Sequence, residues 1–219
     1  MVTITTNLGY VRAISSWGVL CKGESLPALN NVSVYFDGDK FTAVATNRYV
    51  IVFHETTVAD DGLFVKAVDS FEGSVLIPFD LLAQFVKAAS ANKNEKMPVE
   101  IRVDDDYVEI QMYEIMVRGA KVRGQYPKIV DLVRVKEPAV DGVLSFGLPL
   151  HQLVLVQKLI APAAKVRPNK YMWRATFSTA STVDKAGPMV LTTNEDKDLV
   201  LLVQPHYAEG MEWKGYNNV

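Results

Sequence analysis

One pattern recurs three times along this chain of 219 residues: a short strand, an amphipathic helix and then consecutive strands. The helices are recognised by apolar residues every three or four positions, and the strands by short β-prone runs between turn residues. Three or four strands can bury only one face against a single helix. Two such units side by side are therefore expected to form a two-layer domain, a sheet backed by two helices.

The three predicted helices have recognisable ends. The first is predicted over 8–21, directly after polar residues that suit an N-cap. The second carries its apolar residues over 81–89 and is opened by Pro78. The third is predicted over 150–160 and is stopped by Pro162.

The predicted strands are short, and several are joined by hairpin turns rich in Asp and Gly. They lie at 2–5, 32–36, 40–45, 49–53, 75–77, 99–103, 107–112, 115–122, 143–146, 171–179, 189–192 and 199–203.

Two connecting segments, 59–70 and 134–142, separate the units. The second alternates in charge and contains Pro138, so it is the expected domain boundary. We expect one domain of two units over 1–135, and a C-terminal half-unit or reduced second domain over 142–219. The third unit lacks a fourth to pair with, and so must complete itself against another surface or another chain.

Catalytic signatures are missing from the sequence. No GxxxxGKS/T, GxGxxG, GxSxG or HExxH motif occurs, and His54, His151 and His206 lie far apart. The acidic run 104–106 lies between two predicted strands and is expected to be a hairpin turn. Cys21, beside apolar residues, is expected to be a buried inert thiol. We predict no catalytic residue, metal or cofactor; an enzyme that uses the acidic run or Cys21 is the remaining alternative.

We expect the protein to occupy a reduced, cytoplasmic compartment. No apolar run approaches the roughly 20 residues of a membrane-spanning helix, and the N-terminus does not resemble a secretory signal. A single cysteine excludes an internal disulfide framework. The net charge of −2 argues against a protein that coats nucleic acid, but allows positive charge confined to one surface.

Six short segments together resemble the bacterial DNA polymerase III β subunit, or sliding clamp, family. Their order and spacing carry the resemblance, which covers nearly the whole chain. They are Leu-Asn-Asn-Val at 29–32, the strand at 43–52, Val-Leu-Ile-Pro at 75–78, Gly-Gln-Tyr-Pro at 124–127, Ser-Phe-Gly-Leu at 145–148 and the C-terminal strand at 198–205.

The chain also departs from the pattern of that family. A full clamp subunit has three domains, whereas this chain is expected to hold one and a half. Asn47 stands where the family has Asp, Val50 where it has Arg, and Gln204 where it has a hydrophobic Met. These three differences bear on the strength or selectivity of peptide binding.

The resemblance implies an α+β DNA-clamp fold, with repeated β-α-β-β-β half-units and helices on one face of antiparallel sheets. It implies a sliding clamp that encircles duplex DNA as a homo-oligomeric ring, without reading sequence, and tethers DNA polymerase and the clamp loader through short peptide motifs. A reduced, phage-type clamp of this kind is the leading hypothesis. Motif matching gives its hydrophobic peptide pocket as Leu29, Thr46, Arg48, Tyr49, Ile51, Pro188, Leu202, Gln204 and Pro205.

Positive charge falls on the three helical regions, although the whole chain is slightly acidic. In a clamp these residues would face DNA, while in any other protein they would simply solvate exposed helix faces. The alternative function is a clamp-like interaction module that binds the same peptides without encircling DNA, as an adaptor or a competitor of a host clamp. The DNA-facing candidates are Arg12, Lys22, Lys87, Lys93, Lys96, Lys158, Lys165 and Arg167.

Overall fold

A computed structural model describes residues 1–21, 25–37, 40–57, 66–67, 73–127, 154, 158–159, 173–177, 189–193 and 199–203. These residues form an α+β fold of antiparallel sheets and two α-helices. The helices are α1 (Leu8–Ser16) and α2 (Phe79–Ala88), and short 3-10 turns occupy Trp17–Val19, Pro27–Asn30 and Ala89–Ala91. The strands are β1 (Val2–Asn7), β2 (Asn31–Asp37), β3 (Lys40–Thr46), β4 (Val50–Thr57), β5 (Lys66–Ala67), β6 (Gly73–Pro78), β7 (Pro98–Val103), β8 (Tyr107–Met112), β9 (Ile115–Ala120), β10 (Trp173–Phe177), β11 (Met189–Thr193) and β12 (Leu199–Val203).

The two sheets exchange strands between the first two units. One sheet has the order β5-β1-β7-β8-β9, and the other has the order β10-β11-β12-β4-β3-β2-β6. The first strand of each unit thus pairs with the later strands of the other unit. The expectation of a single sheet was wrong. Exchange extends each three-stranded meander and covers an edge that would otherwise expose unpaired backbone groups.

The main core lies where α1 and α2 pack on each other and on both sheets. The apolar positions of each helix are buried: Leu8, Val11 and Ile14 of α1 are at most 1% exposed. Burial of each side chain of this size stabilises the fold by about 1.5–3 kcal/mol. Leu82 and Phe85 of α2 are also fully buried. The packing of these apolar faces is therefore what fixes the helices against the sheets.

Helix ends differ slightly from the predicted ones, for local reasons. Asn7 is the N-cap of α1, since its Oδ1 accepts a hydrogen bond from the backbone N–H of Tyr10 over 2.9 Å. The α-helix ends at Ser16, and the rest of the predicted helix continues as a 3-10 turn. Helix α2 begins at Phe79, with Asp80 placed favourably near the positive end of the helix dipole.

The acidic run forms the predicted turn between β7 and β8. Asp104 N–H donates to the carbonyl of Tyr107 over 2.9 Å, and the Asp104 carboxylate accepts from Asp105 N–H over 2.8 Å. Lys121 Nζ donates to the Asp104 carbonyl, and Arg123 Nη2 donates to the Asp106 carboxylate, each over 3.0 Å. Across the described part of the chain, no group of three His, Cys, Asp or Glu residues could hold a metal ion.

Cys21 and His54 also have structural surroundings. Cys21 is buried, and its Sγ donates to the carbonyl of Thr46 over 3.8 Å. His54 lies one residue beyond the predicted strand 49–53 but inside β4, and its ring contacts Tyr10 with centroids 5.6 Å apart. Strand β4 is longer than predicted because its pairing with β3 continues to Thr57. His151 and His206 lie outside the described residues.

The third unit joins the sheet of the first. Strands β10, β11 and β12 pair in order, and β12 then pairs with β4 in antiparallel register. Leu159, which is helical, is buried in the main core. The predicted strand 143–146, most of the predicted helix 150–160 and the predicted boundary 134–142 lie outside the described residues.

Strand β5 was not predicted, because two residues carry no detectable period. It lies within the connecting segment 59–70 and pairs with β1.

Among the described residues, no helix is long and apolar enough to cross a membrane.

Candidate peptide-binding and DNA-facing sites

The seven-stranded sheet carries a second apolar cluster on the face opposite the main core. Successive side chains of a strand point to opposite faces, so Val44 and Phe53 lie on this face while Ala43 and Val52 enter the core. We call this set the outer cluster. It consists of Leu29, Val44, Phe53, Leu76 and Tyr126, with Tyr35 and Ile51 packed against it.

Two segments cover the outer cluster. The 3-10 turn Pro27–Asn30 brings Leu29 onto the sheet, and the buried Asn31 holds this turn by donating from Nδ2 to two of its carbonyls, at 2.7 and 3.1 Å. Tyr126 is 8% exposed, and burial raises the pKa of its phenol. A Cβ at Gly124 would lie 3.4 Å from the Cβ of Ala28, so the two covering segments are in contact.

The turn between β3 and β4 borders the outer cluster and is built by its own side chains. The Thr46 hydroxyl donates to the carbonyl of Val50 over 2.9 Å and accepts from Arg48 N–H over 3.0 Å. The Asn47 Oδ1 accepts from the backbone N–H groups of Tyr49 and Val50, at 3.1 and 2.8 Å. Both polar side chains therefore shape the turn.

Arg48 and Tyr49 form the exposed tip of this turn. Arg48 has a φ of 76°, in the left-handed region that residues other than glycine rarely adopt. Tyr49 is 44% exposed and lies two residues before Ile51, which packs against the outer cluster. A strained tip that carries an exposed aromatic ring is typical of a recognition site.

Strand β12 reaches the same region. Leu202 is the register partner of Ile51, and Val203 is the partner of Val50 at the start of the turn. The structure thus places Leu29, Ile51 and the turn residues around one cluster, with the backbone of Leu202 beside it. Pro188, Gln204 and Pro205 lie outside the described residues.

Some residues that shape this site were not recognised in the sequence. Asn47 was noted only as a departure from the family pattern, yet an Asn two residues before an N–H group is a known turn former. Tyr126 was noted only as part of a motif, and nothing in the sequence shows that it covers Val44 and Phe53. Such long-range contacts are invisible to local patterns.

Exposed lysines lie on α2, after α2 and at position 158, whereas one arginine of α1 is held by backbone carbonyls. Lys87, Lys93, Lys96 and Lys158 are exposed. The Arg12 guanidinium, by contrast, donates to backbone carbonyls at the end of α2, and its side chain is 23% exposed. The remaining candidates, Lys22, Lys165 and Arg167, lie outside the described residues.

The fold is that of the DNA polymerase sliding clamps. No protein-family model matches the sequence, and the curated proteins contain no match to it. Among solved structures, the sliding clamp of Bacillus subtilis aligns with a TM-score of 0.64 and 12% identity, over 94% of this chain and 64% of that chain. The clamp of Bartonella birtlesii bound to griselimycin aligns with a TM-score of 0.64 and 11% identity, over 94% of this chain and 66% of that chain.

A Caulobacter crescentus β sliding clamp gives the same picture, with a TM-score of 0.63 and 16% identity, over 94% of this chain and 65% of that chain. The chain therefore spans less than two thirds of the length of each of these clamps. Likeness at such low identity defines the fold.

Proposed function

We propose that this chain is the subunit of a sliding clamp, a non-catalytic ring that encircles duplex DNA and tethers a polymerase. The observation that carries the proposal is the pairing of β12 with β4, through which the strands of the third unit continue the sheet that contains β2, β3 and β4. A ring that acts by closure needs sheets that join edge to edge in this way. Its role in replication would be cytoplasmic, and a compact phage-type replicon is a natural setting.

Strand β9 supports self-assembly in the proposed ring. It is the last strand of the five-stranded sheet as far as the structure describes it. An edge strand presents N–H and C=O groups that can pair with another chain. Two large apolar residues lie exposed at this edge, Tyr113 at 70% and Met116 at 53%. We propose that a second subunit pairs here, in a head-to-tail homo-oligomer.

The charge of the helix side suits a ring that slides. Encircled DNA requires enough positive charge to tolerate phosphates, but too many fixed contacts would stop movement. Residues 79–97 contain three lysines, all exposed, and two carboxylates, Asp80 and Glu95, so this segment has a net positive charge. We propose that Lys87, Lys93, Lys96 and Lys158 line the hole, together with Lys22, Lys165 and Arg167.

The outer cluster and the exposed turn support a peptide pocket. An aliphatic and aromatic surface with a few polar groups is a suitable anchor for a short apolar motif. We propose that Leu29, Ile51, Arg48 and Tyr49 contact peptides of the polymerase and the clamp loader, with Thr46 shaping the turn. Pro188, Leu202, Gln204 and Pro205 complete the proposed pocket.

Mass and DNA retention test the ring. Light scattering at high protein concentration should give a multiple of the 24.3 kDa subunit mass. Protein loaded on a nicked circular plasmid should survive a wash in high salt and should leave when the plasmid is linearised. A monomer at all concentrations, or equal retention on circular and linear DNA, would contradict the proposal.

A second candidate is an interaction module that binds clamp-motif peptides without a ring. The exposed Tyr49, two residues before Ile51 of the outer cluster, favours it, because this site lies within a single chain. A fluorescence titration with a clamp-motif peptide should show binding that Tyr49→Ala weakens and Tyr113→Ala leaves unchanged. Peptide binding without retention on circular DNA would favour the module over the ring.

A further inference from the structure

The segment between α2 and β7 carries two of the exposed lysines and is held in one conformation. We call residues 92–97 the lysine loop. Asn92 Oδ1 accepts from Asn94 N–H over 2.9 Å, and Asn94 Oδ1 accepts from Lys96 N–H over 3.1 Å. These side-chain contacts give the loop a fixed backbone course, on which Lys93 and Lys96 are exposed.

The first backbone amides of helix α1 form hydrogen bonds with the loop. Leu8 N–H donates to the Met97 carbonyl and Gly9 N–H donates to the Glu95 carbonyl, each over 2.9 Å. The first amides of a helix have no partner within the helix, so the loop satisfies them. A Cβ at Gly9 would lie 3.1 Å from the Cβ of Glu95, which shows how closely the helix and the loop approach.

Arg12, one helical turn further along α1, ties the loop to the end of α2. Its Nη2 donates to the Asn92 carbonyl over 2.7 Å and to the Ala89 carbonyl over 3.2 Å. Its Nη1 lies 3.8 Å from the Glu95 carboxylate. The planar guanidinium offers several donors in a rigid arrangement, which a lysine cannot reproduce. Arg12 thus connects the last turn after α2 with both the start and the middle of the loop.

We infer that Arg12 is a positioning residue, which fixes the lysine loop so that Lys93 and Lys96 contact the phosphates of encircled DNA. The inference rests on the proposed clamp function and replaces the expectation that Arg12 itself faces DNA. The Arg12 donors point at backbone carbonyls and its charge lies near Glu95. Both lysines are exposed, and the one bond of Lys93, from Nζ to the Ser90 carbonyl, is long at 3.4 Å and lies at the surface. An ordered loop also loses less conformational entropy when its lysines bind a phosphate.

A double-mutant cycle tests this role. The variants are Arg12→Met, Lys93→Ala with Lys96→Ala, and all three changes together, in the full chain. Binding to a fluorescent duplex is measured by anisotropy over a series of salt concentrations. Removing both lysines should weaken binding and reduce the slope of log K against log salt by about 1.8, for two lost phosphate contacts. Arg12→Met should also weaken binding several-fold, but should add nothing once both lysines are gone.

Two further variants separate positioning from charge. Arg12→Lys keeps the charge but loses the rigid donor arrangement, so it should bind as weakly as Arg12→Met. Arg123→Met removes an arginine after β9 that is 82% exposed and contacts Asp106 of the β7–β8 turn, and it should leave binding unchanged. Hydrogen exchange at the amides of Lys96 and Met97 should accelerate in both Arg12 variants. Thermal melts confirm that each variant is folded.

The outcomes distinguish the two levels of the proposal. If wild-type protein neither stays on circular plasmid nor binds the duplex at low salt, the clamp function fails and this inference fails with it. If it stays on circular plasmid but does not bind the duplex, the two lysines do not contact phosphates and only the inference is overturned. If wild-type protein binds but the effects of Arg12→Met and the lysine variant are additive, Arg12 contacts DNA directly and only the inference is overturned. Wild-type binding by Arg12→Lys would overturn it as well.

Discussion

Asn47 and Val50 hold each other across the β3–β4 turn: Val50 N–H donates to Asn47 Oδ1 over 2.8 Å, and Asn47 N–H donates to the Val50 carbonyl over 3.2 Å. Asn47 is only 8% exposed, so water cannot readily replace these bonds. The pair closes the turn on the side of the sheet and leaves Arg48 and Tyr49 at its tip. The buried Asn47 side chain thus sets the position of Arg48 and Tyr49, which we propose contact the peptide.

Replacing Asn47 by Ala should destabilise the protein and disorder the turn. The change leaves the buried N–H of Val50 and the partly buried N–H of Tyr49 without their acceptor, which should cost about 1–2 kcal/mol in the free energy of unfolding. Urea denaturation measures this loss. Asn47→Asp is the matched control, because its carboxylate keeps an acceptor at the same place. Equal stability of the Ala variant and wild type would show that the turn does not depend on this side chain.

The left-handed backbone of Arg48 predicts an unusual order of stability at that position. Arg48→Gly should be more stable than Arg48→Ala by about 1 kcal/mol, because glycine adopts a positive φ without a steric penalty. Comparing the two variants with each other cancels the loss of the Arg side chain. The exposed helical position Ala13 serves as the control: there, Ala13→Gly should be less stable than wild type. The same order at both positions would contradict a strained turn.

Glu109 connects two arginines on the outer face of the five-stranded sheet. Its Oε1 lies 3.3 Å from Arg102 Nη1 and its Oε2 lies 3.8 Å from Arg118 Nε, and its side chain is 10% exposed. Arg118 also lies over the ring of Tyr107, 3.5 Å from its centroid. These contacts fix strands β7, β8 and β9 in register, so they support the edge that we propose for assembly.

Removing the charge of Glu109 should therefore weaken this sheet. Glu109→Gln keeps the size of the side chain, yet should lower the free energy of unfolding by about 1 kcal/mol and reduce its dependence on salt. Glu100, which also contacts Arg102 but is 36% exposed, provides the control, and Glu100→Gln should have a smaller effect. A larger loss of stability in Glu100→Gln than in Glu109→Gln would show that Glu109 does not make the main ionic contact of this sheet.

The Asp104 turn predicts a specific dependence on pH. The hydrogen bond from Asp105 N–H is the main cause that holds the pKa of the Asp104 carboxyl below its usual value of 3.8. A lowered pKa in the folded state means that this contribution is complete above pH 3.8 and is lost as the pH falls through the folded value. The stability difference between wild type and Asp104→Asn should therefore shrink below pH 3.8. A difference that stays constant down to pH 2 would exclude this linkage.

The strands were the most predictable part of the molecule, since alternation between two turn signals defines them locally. Strands β8 and β12 have the predicted bounds, and the acidic turn before β8 was recognised from its residues. The exchange of β1 and β6 could not be predicted, because a period of two places a residue on a face and does not specify the partner strand. The pairing of β12 with β4 was equally hidden.

The site was predictable where motifs carry it, and not where distant contacts do. Leu29 and Ile51 were selected by motif and do share the outer cluster. Thr46 was selected as a pocket residue, but its hydroxyl bonds within the turn. Arg12 lies off the apolar face of its helix, a position that predicts a solvent-exposed side chain. Its carbonyl partner at Asn92 is 80 residues away, so no local rule could have found it.

The strand exchange also dictates when this protein can fold during synthesis. Val2 pairs with Val103, so the first strand leaves the ribosome about a hundred residues before its main partner exists. Until β7 emerges, β1 is an apolar edge in need of protection, and such distant pairings are slow to form. The nascent chain must therefore wait until β7 has emerged, and a chaperone that shields the first few residues would act at the stage of greatest risk.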